Sequence, residues 1–283
     1  MPAFSSFSNA GVAAIQVGIV NINGCPMGIT GSATANVATP LKLMQFSKRF
    51  GGSIPQPVRA TAIGDNNRSR HEYIFNAPQM GEQPFLFGSM DMDAYAGFTK
   101  TKKVTDGNGN RIGLQTNAPV NAAQACIVVN LDAQEADLGD FGLKRFVNEI
   151  YSLVTVAPLG ANLQEVQAAE WGYYGIPTQA GRMPWGVSFD QDDDGFTRAG
   201  GVLLTSDYPV VLETFLAGAG SPTTCELTYT PATPTATYVN AWNFADGTPE
   251  SVSVTGKTAT FAAQTEGDII VFRYEATDLL ANL

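Results

Sequence analysis

The run DQDDDGF, residues 190–196, carries the side chains best suited to bind a metal ion. Asp190, Asp192 and Asp194 occupy positions 1, 3 and 5 of the calcium-loop pattern, and a glycine follows at the position of the sharp turn. Position 12, where a bidentate glutamate should complete the site, is Gly201. The run can therefore be interpreted either as a structural calcium site or as an acidic solvated loop.

Few other residues could support catalysis. The single histidine, His71, lies in a basic segment with no catalytic companion nearby in the sequence. Asp91 and Asp93 could in principle do acid–base chemistry, but they alternate with apolar residues, and this pattern predicts the polar face of a strand. No dinucleotide-binding glycine pattern, phosphate loop, HExxH or GxSxG sequence occurs. We therefore expect a protein that is not an enzyme and has no cofactor apart from the calcium ion considered above.

Composition points to a globular, turn-rich, mainly β chain. Apolar residues make up 44% of the 283 residues and charged ones 15%, and there are 29 glycines and 16 prolines. This balance excludes a disordered chain, and the length is sufficient for one large or two smaller domains with real cores. Long amphipathic helices are not expected to be its main elements.

Charge is distributed unevenly along the chain. Residues 1–111 hold ten Lys/Arg and six Asp/Glu, whereas residues 112–283 hold six and twenty. The net charge of −10 argues against sequence-independent nucleic-acid binding, which requires a basic surface to displace counterions. The asymmetry could align copies of the chain head to tail, although solvated faces without a partner would give the same pattern.

The three cysteines and the N-terminus both point to a reducing compartment. Cys25, Cys126 and Cys225 are widely spaced and suggest neither a zinc site nor a disulfide framework, so we expect buried or free thiols. The N-terminal segment lacks a basic region, and its apolar run is shorter than the ~18 residues of a membrane span. We expect synthesis in the cytoplasm and no membrane partner.

Strand patterns dominate the sequence. We predict strands in β-branched or alternating segments at residues 10–22, 41–46, 70–75, 84–98, 122–131 and 201–216, and a hairpin turn at residues 104–113. Residues 47–70 carry five basic side chains, a glycine pair and two prolines, and are predicted to form a long loop.

Two helices are expected between the strands. Residues 140–154 place apolar side chains at three- and four-residue spacing, with Asp140 as a cap. Residues 162–171 begin with Asn162 and have Glu165 three residues later, as in a capping box. The fold predicted for residues 1–220 is therefore an antiparallel β-sandwich or rolled sheet with one or two packed helices. A linker at residues 218–224 separates it from a small all-β domain at residues 221–283.

The C-terminal region resembles a β-module that recurs in bacteriophage structural proteins. The shared pattern consists of a LTYTP strand, a YVN strand, an SVSVTGKTATF hairpin and a GDIIVFRY strand. The corresponding segments here are residues 227–231, 238–240, 252–261 and 267–274. The chain departs from the pattern at Ala241, where a turn glycine usually follows the asparagine.

The remaining sequence is similar to tail tube subunits of tailed phages in its overall character and not through a specific motif. The resemblance implies a virion protein, made in the host cytoplasm, whose copies close into hexameric rings and stack into a tube that conducts DNA. It also implies an immunoglobulin-like fold for the C-terminal module, and other virion proteins as partners. On this interpretation the lumen-face candidates are Asp91 and Asp93, because an acidic wall lets DNA slide without specific binding.

The same interpretation assigns subunit contacts to the basic segment. The candidate interface residues are Lys48, Arg49, Arg59, Arg68 and Arg70, although an ordinary solvated loop would carry the same charges. Two alternatives to a tail tube remain: a capsid decoration or minor head protein, and a carbohydrate-binding adhesin or fibre. The adhesin would use exposed aromatic residues, for which the candidates are Trp171, Tyr173, Tyr174, Trp185 and Trp242.

Overall fold

The protein is mainly β, with antiparallel sheets and, in the part of the chain that the structure describes, one α-helix. The computed structural model describes residues 7–44, 47–50, 58–63, 69–75, 83–87, 91–115, 123–135, 145–158, 171–177, 204–232 and 239–282. The helix is α1 (Met92–Thr99), and a short 3₁₀ turn lies at Leu280–Asn282. The predicted mainly β class is confirmed.

Twenty strands are defined among the described residues. They are β1 (Phe7–Ile19), β2 (Ala38–Pro40), β3 (Lys42–Met44), β4 (Ser47–Phe50), β5 (Val58–Ile63), β6 (Ser69–Phe75), β7 (Gln83–Phe87), β8 (Lys103–Thr105), β9 (Arg111–Leu114), β10 (Ala123–Glu135), β11 (Arg145–Pro158), β12 (Trp171–Pro177), β13 (Leu204–Ser206), β14 (Val210–Leu216), β15 (Thr224–Glu226), β16 (Asn240–Asn243), β17 (Thr248–Glu250), β18 (Ser253–Thr255), β19 (Thr258–Thr260) and β20 (Ile269–Glu275).

The largest sheet, called the main sheet here, has the order β3-β1-β10-β11-β12-β7-β4, and β13 also pairs with β11. Its two end strands, β3 and β4, are separated by only two residues of chain, and β4 also lies against β1. The main sheet therefore curls so that its end strands approach each other, where the sequence predicted either a β-sandwich or a rolled sheet. Long strands β1, β10 and β11 form its centre.

Two smaller sheets are stacked on the main sheet. The middle sheet has the order β17-β16-β20-β14-β2, and the outer sheet has the order β15-β19-β18. One apolar cluster joins the main and middle sheets, and another joins the middle and outer sheets. Helix α1 packs on the opposite face of the main sheet through Ala94 and Phe98. The layers are thus α1, main sheet, middle sheet and outer sheet.

Alternation along β14 explains why the middle sheet is covered on both faces. Val210 and Leu212 point towards the main sheet, whereas Val211 and Phe215 point towards the outer sheet. Successive side chains of a strand face opposite sides, so a strand between two sheets is buried on both faces. Every residue from Val210 to Phe215 is buried.

The helix predicted at residues 140–154 is wrong, because residues 145–158 form strand β11. Its side chains are buried on both faces of the main sheet: Val147, Tyr151 and Val154 lie in the cluster under α1, and Ile150 lies in the cluster under the middle sheet. A strand that is buried on both faces loses its alternating pattern, so its apolar spacing can imitate a helix. The helix predicted at residues 162–171 lies outside the described residues, apart from Trp171, which begins β12.

The long loop predicted at residues 47–70 is also wrong in part. β4 occupies its beginning, β5 its middle and the first residues of β6 its end. β5 and β6 pair as an antiparallel two-stranded sheet of their own. The predicted strands at β1, β3, β10 and β20 and the hairpin of β8 and β9 are confirmed.

Strand pairing crosses the predicted boundary between residues 220 and 221. β14 lies before this boundary, yet it pairs with β20 along its whole length. On its other side β14 pairs with β2, far upstream in the sequence. The division into two domains, and the immunoglobulin-like fold of the second, stay predictions.

Candidate assembly surfaces and buried polar sites

Asp91 and Asp93 lie at the beginning of α1 and not on a strand, so the predicted strand through them is wrong. Asp91 is the N-cap residue, and its Oδ1 accepts hydrogen bonds from the backbone N–H groups of Asp93 and Ala94, both at 2.9 Å. Aspartate is favoured at this position because it satisfies helix donors that have no partner within the helix. The cap, with Ala94 and Phe98 four residues apart, is the helix signal that the alternation concealed.

Lys42 binds both carboxylates of this pair. Its Nζ lies 2.8 Å from Asp91 Oδ2 and 3.3 Å from Asp93 Oδ2, and all three side chains are about one quarter exposed. The structure thus brings the two lumen-face candidates together, but a lysine that is distant in sequence neutralises part of their charge. The sequence contained no local signal for this contact. The assignment of this pair to a tube lumen stays a prediction.

The basic interface candidates lie on strands where the structure describes them. Lys48 and Arg49 lie on β4, at one end of the main sheet. Arg59 lies on β5 and Arg70 on β6, so both belong to the same two-stranded hairpin. Arg68 lies outside the described residues. Their assignment to a subunit interface stays a prediction.

The calcium-loop candidates Asp190, Asp192 and Asp194 lie outside the described residues. Within the described part of the chain, no group of three or more His, Cys, Asp or Glu side chains is arranged to hold a metal ion. All three cysteines are buried and reduced, as predicted. Burial raises the pKa of Cys126, and burial together with the charge of Glu213 raises the pKa of Cys225 to about 12. Neither thiol is suited to act as a nucleophile at neutral pH.

Glu213 is a fully buried carboxylate on strand β14 of the middle sheet. Its oxygens accept hydrogen bonds from the backbone N–H of Thr228, at 3.0 and 3.1 Å, from that of Tyr229 at 3.3 Å, and from the hydroxyl of Tyr274. Burial raises the pKa of Glu213, and these hydrogen bonds oppose that effect. The carboxylate holds residues 227–229, an irregular segment, against the sheet.

A second carboxylate holds the next part of the same segment. Asp278 accepts hydrogen bonds from the backbone N–H of Thr230 at 2.8 Å and from its hydroxyl at 2.9 Å, and its Oδ2 lies 3.5 Å from Lys257 Nζ. Burial opposes the ionised form, but these contacts outweigh it and lower the pKa of Asp278. Residues 227–231 carry the LTYTP pattern, so two acids that the sequence analysis did not select hold this pattern in place.

Three buried amide side chains connect the main sheet to the middle sheet. Gln16 Nε2 donates to Asn130 Oδ1 at 2.9 Å, and Asn130 Nδ2 donates to Asn148 Oδ1 at 2.7 Å. Gln16 and Asn130 also donate to the carbonyl oxygen of Val210, at 2.8 and 3.0 Å, and the N–H of Val210 donates to Asn148 Oδ1 at 3.1 Å. This set, called the amide ladder here, satisfies both backbone groups of the first residue of β14.

The hairpin of β8 and β9, called the arm here, carries exposed apolar side chains. Val104 is 41% exposed and Ile112 is 65% exposed. A bulge places Ile112 and Gly113 opposite Val104. Asp106 orders the turn, since its Oδ1 accepts the N–H groups of Asn108 at 2.9 Å and Asn110 at 2.7 Å. The arm is therefore an ordered element whose apolar side chains face solvent.

Comparison with protein-family models finds no match to the chain, and no curated protein matches it. Within the described residues, no helix combines the length and apolar character needed to cross a membrane. The chemistry of the described sites is that of carboxylates and amides that fix backbone segments. Such groups hold neighbouring segments and sheets together.

Proposed function

We propose that the chain is a structural subunit of a phage virion whose function is self-assembly, and that its place is the tail tube. The observation that carries this proposal is the packing of the resembling segments. The patterned side chains Leu227, Tyr229, Phe261, Phe272 and Tyr274 all lie in the apolar cluster between the middle and outer sheets. The motif thus coincides with the residues that build one core, as expected for a shared structural module.

The buried polar groups support a structural role over a catalytic one. Glu213 is 0% exposed and directed at backbone donors, so it is not accessible to a substrate. The side chains of the amide ladder form hydrogen bonds with the backbone carbonyl oxygen and N–H of Val210. Polar groups used in this way fix the relative position of the sheets, and a subunit that must present a constant surface requires such fixation.

The proposed tube conducts DNA without binding it. The net charge of −10 disfavours retention of a polyanion, and the wall would have to be acidic or neutral. On this proposal Asp91 and Asp93 face the lumen, and the remaining negative charge of their cluster with Lys42 repels phosphate groups.

Negative-stain electron microscopy of the purified protein, together with its mass in solution, tests the proposal. Stacked rings or tubes with a central hole are the expected result. A monomer or trimer that never polymerises would contradict it and would favour the capsid decoration protein or the carbohydrate-binding adhesin.

A further inference from the structure

The arm and one edge of the middle sheet have complementary surfaces. Two exposed lysines, Lys100 and Lys102, lie at the base of the arm, next to the exposed Val104 and Ile112. The hydrogen bond from Gln115 N–H to the carbonyl oxygen of Lys102, 2.9 Å long, closes this base. The arm surface, defined as these two lysines with Val104 and Ile112, is thus basic and apolar.

The edge surface is acidic and apolar. It consists of Asp207, Tyr208 and Glu275, at the end of the middle sheet where β14 begins and β20 ends, together with Leu280 in the 3₁₀ turn that follows β20. Tyr208 is 41% exposed and Leu280 is 37% exposed. Burial and then the charge of Asp207 raise the pKa of Glu275, whereas the charge of Arg273 lowers it. The edge thus carries two carboxylates and one buried guanidinium, and a cation from another molecule would add a favourable contact to exposed Asp207.

Contacts place α1, which precedes the arm, towards the end of β14, whereas the edge surface lies at the beginning of β14. Thr214, near the end of β14, donates its hydroxyl hydrogen bond to the carbonyl oxygen of Pro26. The arm follows α1, in which a Cβ atom at Gly97 would lie 2.5 Å from the carbonyl oxygen of Ile29, three residues from Pro26. Asp207 and Tyr208 instead precede β14, whose seven residues span about 20 Å.

From this arrangement we propose that the arm surface of one copy binds the edge surface of a second copy, head to tail. The inference rests on the proposed function and names the contact through which copies associate. Because the two surfaces differ, each copy retains one unused surface after pairing, so the contact propagates into rings or filaments. Apolar side chains supply the buried area, and the lysines and carboxylates fix partner and orientation.

Charge reversal on each side tests the contact. The arm variant is K100E/K102E, the edge variant is D207K, and the matched control is E226K on exposed Glu226 of the outer sheet. All are assayed as full-length protein by sedimentation velocity over a concentration series, with thermal unfolding to verify folding. We expect each surface variant to require at least tenfold more protein to associate, and E226K to behave as wild type.

Mixing the two defective variants gives the decisive result. Each retains the surface that the other lacks, and the reversed arm and the reversed edge are again opposite in charge, so the mixture should associate at a lower protein concentration than either variant alone. The proposed contact would be overturned if both variants associated as readily as wild type, or if the mixture stayed monomeric. Either result would leave the proposed function intact. Wild type that stays monomeric at every concentration would overturn both.

Discussion

At the scale of single residues, Glu213 shows how a buried charge can organise a chain segment. An ionised carboxylate loses much hydration when buried, and it is tolerated when hydrogen-bond donors replace the lost water. Glu213 has three such donors, from Thr228, Tyr229 and Tyr274. Two of them are backbone N–H groups, and that of Tyr229 also lies 3.2 Å from the hydroxyl oxygen of Tyr274.

Replacing Glu213 with Gln should destabilise the fold. The glutamine retains one acceptor oxygen but directs an NH₂ group at donors, so at least one buried donor loses its partner. We expect a loss of about 1–3 kcal/mol in the free energy of unfolding, measured by urea denaturation. The matched control is E226Q, on an exposed side chain of neighbouring β15, which should change stability by less than about 0.5 kcal/mol. Equal stabilities for E213Q and wild type would contradict this role.

The stability of wild type relative to E213Q should depend on pH in a defined direction. The pKa of Glu213 is raised in the folded state above its ordinary value of 4.5. The folded protein therefore takes up a proton at a higher pH than the unfolded chain does. As pH falls from neutral towards 4.5, the stability advantage of wild type should grow, and below that it should level off.

Urea denaturation of both proteins at several pH values measures this trend. Asp278, whose pKa is lowered, weakens both proteins equally at low pH and cancels in the comparison. A wild-type advantage that shrinks on acidification would show that the ionised form is the one favoured by folding.

At the scale of elements, the amide ladder fixes the position of β14 on the main sheet. Gln16, Asn130 and Asn148 belong to the three central strands β1, β10 and β11, and all are fully buried. Apolar faces can slide over one another, whereas amides bonded to one backbone position define a single register. Val210 is that position.

Replacing Asn130 with Leu should break this registration. The change removes one donor to the carbonyl oxygen of Val210 and the donor to Asn148 Oδ1. We expect a loss of about 1–3 kcal/mol in unfolding free energy. Gln124→Leu is the matched control because Gln124 is exposed on the same strand, and its effect should be below about 0.5 kcal/mol. An N130L protein as stable as Q124L would contradict the role assigned to the ladder.

The elements also show what sequence patterns can and cannot predict. β1, β10 and β20 were predictable because β-branched runs bounded by turn residues suit strands buried within sheets. β11 was not, because burial on both faces removed its alternation and left a spacing typical of a helix. Around Asp91 the error was the reverse, because an alternating pattern predicted a strand where the structure has a helix. The helix begins after Asp91, whose side chain caps it.

The sites were less predictable than the elements. Lys42 lies about 50 residues from the aspartates that it binds, and Glu213 lies 61 residues from Tyr274. Contacts of this kind depend on how strands are ordered in the sheets, which no local pattern reveals. The acidic run at residues 190–196 was the clearest motif, and its interpretation as a calcium site stays a prediction.

At the scale of the whole molecule, the layers suit a protein that acts through its surfaces. Three stacked sheets and a helix bury the central strands, and side chains of the arm and of the edge surface are left exposed. The uneven charge, basic in residues 1–111 and acidic beyond, is consistent with head-to-tail contacts between copies. These features support the proposal of a self-assembling subunit.

By electron microscopy of the purified full-length protein, with sedimentation velocity on the same sample, we expect rings or tubes with a central hole, together with species much heavier than the 30.0 kDa chain. A homogeneous monomer at every concentration, with no ring or tube in any image, would contradict the proposed self-assembly.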